Sequence, residues 1–141
     1  MSLPRVFKLV KDAIARIRSR FYRGPRHLRL GKLGEDLAAN KLASEGYRLV
    51  DRNLKVAGRE VDIIAVEGEY LVFVEVKTRS DASFGHPLLA VDNKRRTRLR
   101  QAAGMYVAKR GLRSILIRFD VVTVEFGASS EAKVELIRNA F

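Results

Sequence analysis

Apolar residues recur along this chain with two different periods. Val6, Val10, Ala13, Ile17 and Phe21 follow a three-to-four residue spacing with Arg and Lys between them, which predicts an amphipathic helix ending near Arg23-Gly24-Pro25. Leu33, Leu37, Ala38 and Leu42 predict a second helix over Lys32 to Glu45, closed by Gly46, which suits a left-handed exit. A short strand follows, from Arg48 to Leu54. Two stretches rich in β-branched residues, Glu60 to Val66 and Tyr70 to Thr78, flank a glycine turn at Gly68 and predict a hairpin. The Ser80 to Pro87 segment is polar and reads as a loop. A third helix is predicted from an Asp92 N-cap to Arg110, with Leu99, Ala102 and Tyr106 on its apolar side. Ile115 to Phe126 reads as a long strand, and Lys133 to Arg138 adds another at the edge. The predicted fold class is α/β: a mixed sheet flanked by helices in the order αβββαβ, with an extra basic helix in front. Residues 1–30 form the extension and 31–141 the main domain.

Composition narrows the chemistry. The 141 residues include no Cys, so disulfides, thiolate metal sites and cysteine nucleophiles are ruled out. A 47% hydrophobic content supplies a core. No apolar run reaches the roughly 18 residues that span a bilayer, which leads to the expectation of a cytoplasmic protein. The net charge of +12 is concentrated in two places: nine Arg and Lys against Asp12 alone in the first 30 residues, and five with no acid between Lys94 and Arg100. Such blocks attract polyanions, nucleic acid first and anionic membrane second. The first helix fits a nucleic-acid arm, a membrane-surface helix or a targeting segment.

The chemical signal lies in the hairpin. Leu71 to Val74 is a continuous apolar run of the kind found in central strands, yet it continues into Glu75-Val76-Lys77. Charges at the end of a buried strand cost several kcal/mol unless partnered. Glu75 and Lys77, two apart, share a face. With a two-residue turn at Gly68-Glu69, of type II′, Glu67 faces Tyr70, Asp62 faces Glu75 and Glu60 faces Lys77. Two opposed carboxylates repel, and a hard divalent cation such as Mg²⁺ resolves the conflict through oxygen ligands. Glu35 shares the apolar stripe of Ala38 and Leu42; it reads either as a further site carboxylate or as an acid in the first helical turn. Lys94, Arg98 and Gln101 fall on one stripe of the third helix, suited to phosphate contacts, and the other arginines of that block read as a general electrostatic footprint. His86 reads as a loop residue, Asp120 beside Arg118 as a structural ion pair, and Gly104 with Met105 as close helix packing.

Taken together, Gly34-Glu35, Glu60-Val-Asp62-Ile-Ile-Ala, Val74-Glu75-Val-Lys77-Thr-Arg79, Ala90-Val91 with Lys94, and Arg118-Phe-Asp120-Val-Val resemble the YraN-like uncharacterised protein family over about residues 30–124. That family is similar to the archaeal Holliday junction resolvases of the restriction-endonuclease-like superfamily. Arg59 departs from the glycine usual before its acidic pair. The resemblance implies a restriction-endonuclease-like core and an Mg²⁺- or Mn²⁺-dependent endonuclease acting on DNA, branched DNA included. Asp62, Glu75 and Glu35 would hold the metal, with the Val76 carbonyl assisting, and Lys77 would activate water. Glu60 would support Lys77, and Lys94, Arg95, Arg98, Gln101 and Arg79 would contact nucleic acid. A homodimer is implied by analogy with the resolvases. The competing expectation is a nucleic-acid-binding module that keeps the fold without cleaving.

Overall fold

The computed structural model describes residues 26–79, 91–127 and 132–141. The predicted basic N-terminal helix, the Ser80 to Pro87 loop with His86, and Ala90 lie outside them. The described elements are helix α1 (Arg26–Ser44), strands β1 (Arg48–Val56), β2 (Arg59–Glu67) and β3 (Tyr70–Arg79), helix α2 (Asn93–Lys109), and strands β4 (Leu116–Phe126) and β5 (Ala132–Ile137). Both the α/β class and the order of elements agree with the sequence reading.

The five strands form one sheet in the order β1-β2-β3-β4-β5. All neighbours are antiparallel except β3 and β4, which run parallel and are joined through α2. A parallel pair needs such a crossover, because a short turn can only reverse the chain. Alternation along β3 then sends residues to two cores. Leu71 and Phe73 pack with Val61, Ile64, Leu99, Ala102 and Tyr106 on the α2 side; Val72 and Val74 pack with Ala38, Leu42, Ile63, Val122 and Val124 on the α1 side. A strand covered on both faces has no polar side to show, hence its unbroken apolar run. Each such fully buried side chain contributes about 1.5–3 kcal/mol.

The hairpin follows the expected register, from Glu67↔Tyr70 to Ile63↔Val74, with Gly68 at φ 58° in the turn. Glycine takes that left-handed value at no steric cost. α1 starts earlier than predicted, at Arg26, and carries Gly31 and Gly34 within it. It exits through Gly46, where the Tyr47 N–H donates to the Leu42 carbonyl at 3.0 Å. Gly104 and Met105 depart from expectation: a Cβ on Gly104 would meet nothing within 4 Å and Met105 is exposed, because α2 turns the face of Leu99, Ala102, Ala103 and Tyr106 to the sheet.

Candidate acid site and basic cleft

The β2–β3 ladder ends at Ile63↔Val74, one residue short of the acids. At the same point β2 breaks its alternation. Val61 packs on the α2 side and Ile63 on the α1 side, two residues that a regular strand would keep on one face. Asp62 sits at this slip. Its Oδ2 accepts a hydrogen bond from the Val76 N–H at 2.8 Å, so a side chain ties β3 to β2 where main-chain pairing stops. Glu75, one residue past the ladder on β3, is 2% exposed, and Asp62 is 8% exposed. The two carboxylates are adjacent, as the register arithmetic requires, though joined by this cap rather than by a further ladder pair. Past that point the ladder pairs neither Asp62 with Glu75 nor Glu60 with Lys77, and on the β1 side Glu60 lies opposite Lys55.

Arg95 answers the charge of the two acids. Its Nε lies 2.9 Å from Glu75 Oε1 and its Nη2 3.0 Å from Oε2, a two-pronged contact, while the same Nη2 is 4.0 Å from Asp62 Oδ1. The fork reaches the acids because Asp92 caps α2, its Oδ1 accepting the Arg95 N–H at 2.8 Å and fixing Arg95 in the first turn. Burial pushes the Asp62 carboxyl up to about 8, with the charge of Glu75 next in weight, then the Val76 N–H pulling down, Glu35 pushing up and Arg95 pulling down. The Glu75 hydrogen bonds hold the Arg95 guanidinium more firmly protonated than usual.

Glu35 belongs to this electrostatic group, since its charge is felt at Asp62 from the half-buried middle of α1. The first-turn reading of Glu35 falls away, because α1 begins nine residues before it. Gly34 explains how the helix comes so near: a Cβ there would run into the Thr78 side chain, so glycine lets α1 lie against the end of β3. Lys77 is half-buried and, two residues after Glu75, shares its side of the strand. Among the described residues no three acids or histidines stand together as a metal cage, so the convergent unit is the Asp62–Glu75 pair.

Beside the pair, a cleft of about 530 Å³ opens between the β1–β2 turn (Ala57, Gly58) and the start of α2; Arg59, Glu60, Arg95, Arg98 and Gln101 line it. Arg59 Nε donates to Gln101 Oε1 at 2.9 Å. The sequence reading missed Arg59 as a site residue, and nothing local marks it; it enters the cleft because β1 and β2 bring their turn to α2. The basic block of α2 proves less uniform than a general footprint. Arg96 and Arg100 lie over the Phe141 ring, at 5.3 and 5.4 Å, and Arg95 turns inward to the acids. Lys94 and Arg98 are left exposed. Arg79, at the end of β3, pairs with Glu125 at 2.6 Å because β3 and β4 run in parallel register there.

A second polar cluster lies on β4. Asp120, fully buried, accepts from the Tyr47 hydroxyl at 2.6 Å, from Arg118 through both Nε and Nη2 at 2.8 Å, and from the Asn139 N–H at 2.9 Å. Every acceptor site is used, in keeping with the structural ion pair read from sequence.

The profile of the uncharacterised protein family UPF0102 matches residues 34–124, from the glycine that abuts Thr78 to the end of β4's buried stretch. The chain belongs to this family. It is the YraN-like family of the sequence resemblance. The chain is similar to a UPF0102 protein of Moorella thermoacetica, 46% identical over 114 residues that cover 80% of this chain and 95% of the relative. It is likewise similar to UPF0102 proteins of Geobacter sulfurreducens, 43% identical over 79% of this chain and 88% of the relative, and of Rhodococcus jostii, 43% identical over 82% and 98%. The family region contains Glu35, Asp62, Glu75, Lys77 and the whole of α2; the basic extension falls outside it.

Proposed function

We propose that the chain is a divalent-metal-dependent endonuclease that hydrolyses phosphodiester bonds in DNA, built on a restriction-endonuclease-like core. One observation supports this above the rest: Asp62 and Glu75 are buried side by side just past the end of the β2–β3 ladder, with Lys77 two residues on and a basic cleft adjoining. A fold gains nothing in stability from such a pair, since a buried carboxyl must either hold its proton or find a partner and apolar side chains would serve as well. The donor set fits Mg²⁺ or Mn²⁺, which commonly take one or two carboxylates and complete their shell with water and phosphate oxygens. Asp62 and Glu75 would hold the ion, with Glu35 behind Asp62. When bound, it supplies a water of lowered pKa and neutralises charge at the phosphate. Lys77 holds a fixed positive charge on the same side of β3, where it steadies the charge that develops on a phosphate. Lys94 and Arg98 draw the strand in without reading its sequence.

A second reading, a nucleic-acid-binding module that does not cleave, is favoured by Arg95, which already satisfies both oxygens of Glu75. Incubation with linear, single-stranded and four-way-junction DNA, with and without Mg²⁺ or Mn²⁺, separates the two. Metal-dependent cleavage that Asp62→Ala and Lys77→Ala abolish is the expected result. Binding with no cleavage of any substrate leaves the module. Sedimentation of the junction complex tests the homodimer that the resemblance to the resolvases implies.

A further inference from the structure

Arg95 belongs to two places at once. Its guanidinium grips Glu75 with two hydrogen bonds and approaches Asp62, and the same side chain forms part of the wall of the 530 Å³ cleft. A cation that bonds the Glu75 oxygens therefore has to displace a two-pronged, charge-assisted contact, among the stronger kinds of hydrogen bonding a protein makes. A displaced guanidinium in turn needs another anion, because leaving it half-buried without one is costly. The cleft is where that anion would lie. Arg59 and Arg98 line it with Arg95 against the single acid Glu60, and Arg98 is exposed and has no hydrogen bond or ion pair among the described residues. Arg59 is braced by Gln101 and by the Ala57 carbonyl at 3.2 Å, so that its charge is held in place at the rim.

We propose that the cleft is a phosphate site for the nucleic-acid strand and that Arg95 exchanges between Glu75 and that phosphate, so that strand binding and divalent-cation binding at the acid pair strengthen each other. The proposal rests on the nuclease reading above and adds to it an order of assembly. Arg95 keeps the acids paired until a polyanion draws it away, which restrains metal loading without substrate. Linkage makes the effect reciprocal: whatever factor the strand adds to cation affinity, the cation adds to strand affinity.

Calorimetric titration of Ca²⁺, chosen as a cation that reports binding apart from turnover, into the full chain alone and into its complex with a short duplex oligonucleotide tests this. The complex is expected to bind Ca²⁺ about five-fold or more tightly, the lower range of known couplings. Arg95→Met is expected to raise the Ca²⁺ affinity of the free chain towards that of the complex and to abolish the difference. Arg98→Met makes the same change in charge without touching the acids; it is expected to weaken oligonucleotide binding and leave the Ca²⁺ affinity of the free chain as it was. Should Arg95→Met fail to fold, Arg95→Lys keeps the charge but cannot span both Glu75 oxygens, and is expected to reduce the coupling. Equal Ca²⁺ affinity with and without oligonucleotide in the wild type, or full coupling in the Arg95 variants, overturns the proposal alone. Absence of Ca²⁺ binding by free chain and complex alike overturns the nuclease reading with it.

Discussion

A carboxylate that loses its water and gains a second carboxylate as neighbour keeps its proton longer, and Asp62 is in that position. The consequence for stability has a definite sign. With its folded value raised from 3.8 to about 8, Asp62 is protonated in the folded chain and ionised in the unfolded one between those limits. Unfolding then releases a proton, and stability falls as pH rises through that window and levels off above it. Asp62→Asn, which can still accept the Val76 N–H, removes the effect. In chelator, the variant is expected to match the wild type near pH 4 and to be more stable by on the order of 2 kcal/mol at pH 9. Urea midpoints at the two pH values check this; parallel curves would show that Asp62 is ionised throughout. At this scale the acids were legible in the sequence, because charge at the end of an apolar strand is anomalous wherever it falls. Their partner was not. The Asp92 cap put Arg95 in the first turn of its helix, but which face of the sheet that helix covers depends on the handedness of the crossover, and residue spacing does not carry that.

Between elements, α1 lies tight against β3 at Gly34. Adding a methyl there forces the helix away from Thr78 and with it shifts Glu35 relative to Asp62. Gly34→Ala is expected to destabilise by about 1–3 kcal/mol, the cost of overpacking, even though alanine is the better helix former by about 1 kcal/mol. Thr78→Ala in the same molecule removes the nearest atom and should recover most of the loss. A thermal-melt double-mutant cycle measures the coupling, and additive losses would mean that the helix shifts freely. The hairpin register was readable because a two-residue turn fixes every opposed pair by arithmetic. Where the ladder stops was not readable: at Asp62 a carboxylate takes a main-chain donor in place of a ladder pair, which leaves no periodic trace. The early start of α1 was hidden by Gly31, which reads locally as a break although the helix passes through it.

Across the molecule, the excess of positive charge is divided by use. Arg118 and Arg138 hold Glu67 below the usual carboxylate range despite some burial, and Arg118 also secures Asp120. Arg96 and Arg100 serve Phe141. Among the described residues no helix is long and apolar enough to cross a membrane. Of the α2 block this leaves Lys94 and Arg98 exposed and without a partner among the described residues, so Lys94→Ala and Arg98→Ala should each lower the slope of log affinity for DNA against log salt by about 0.9. Arg96→Ala should leave that slope unchanged and lower the melting temperature instead; a loss of slope in Arg96→Ala would return the block to a uniform footprint. The one parallel pairing in the sheet has a consequence of another kind. Strands β1 to β3 follow one another through short turns, while β4 can join only after the α2 crossover has been laid down. Contacts close in sequence form faster than those that must first close a long loop. The three-stranded meander is therefore expected to be structured in the folding transition state and β4 to dock after it. In a chevron experiment, Val72→Ala should slow folding, and Val122→Ala should chiefly speed unfolding. On that route the acid pair comes together early, and the arginine that neutralises it arrives only with the second half of the fold.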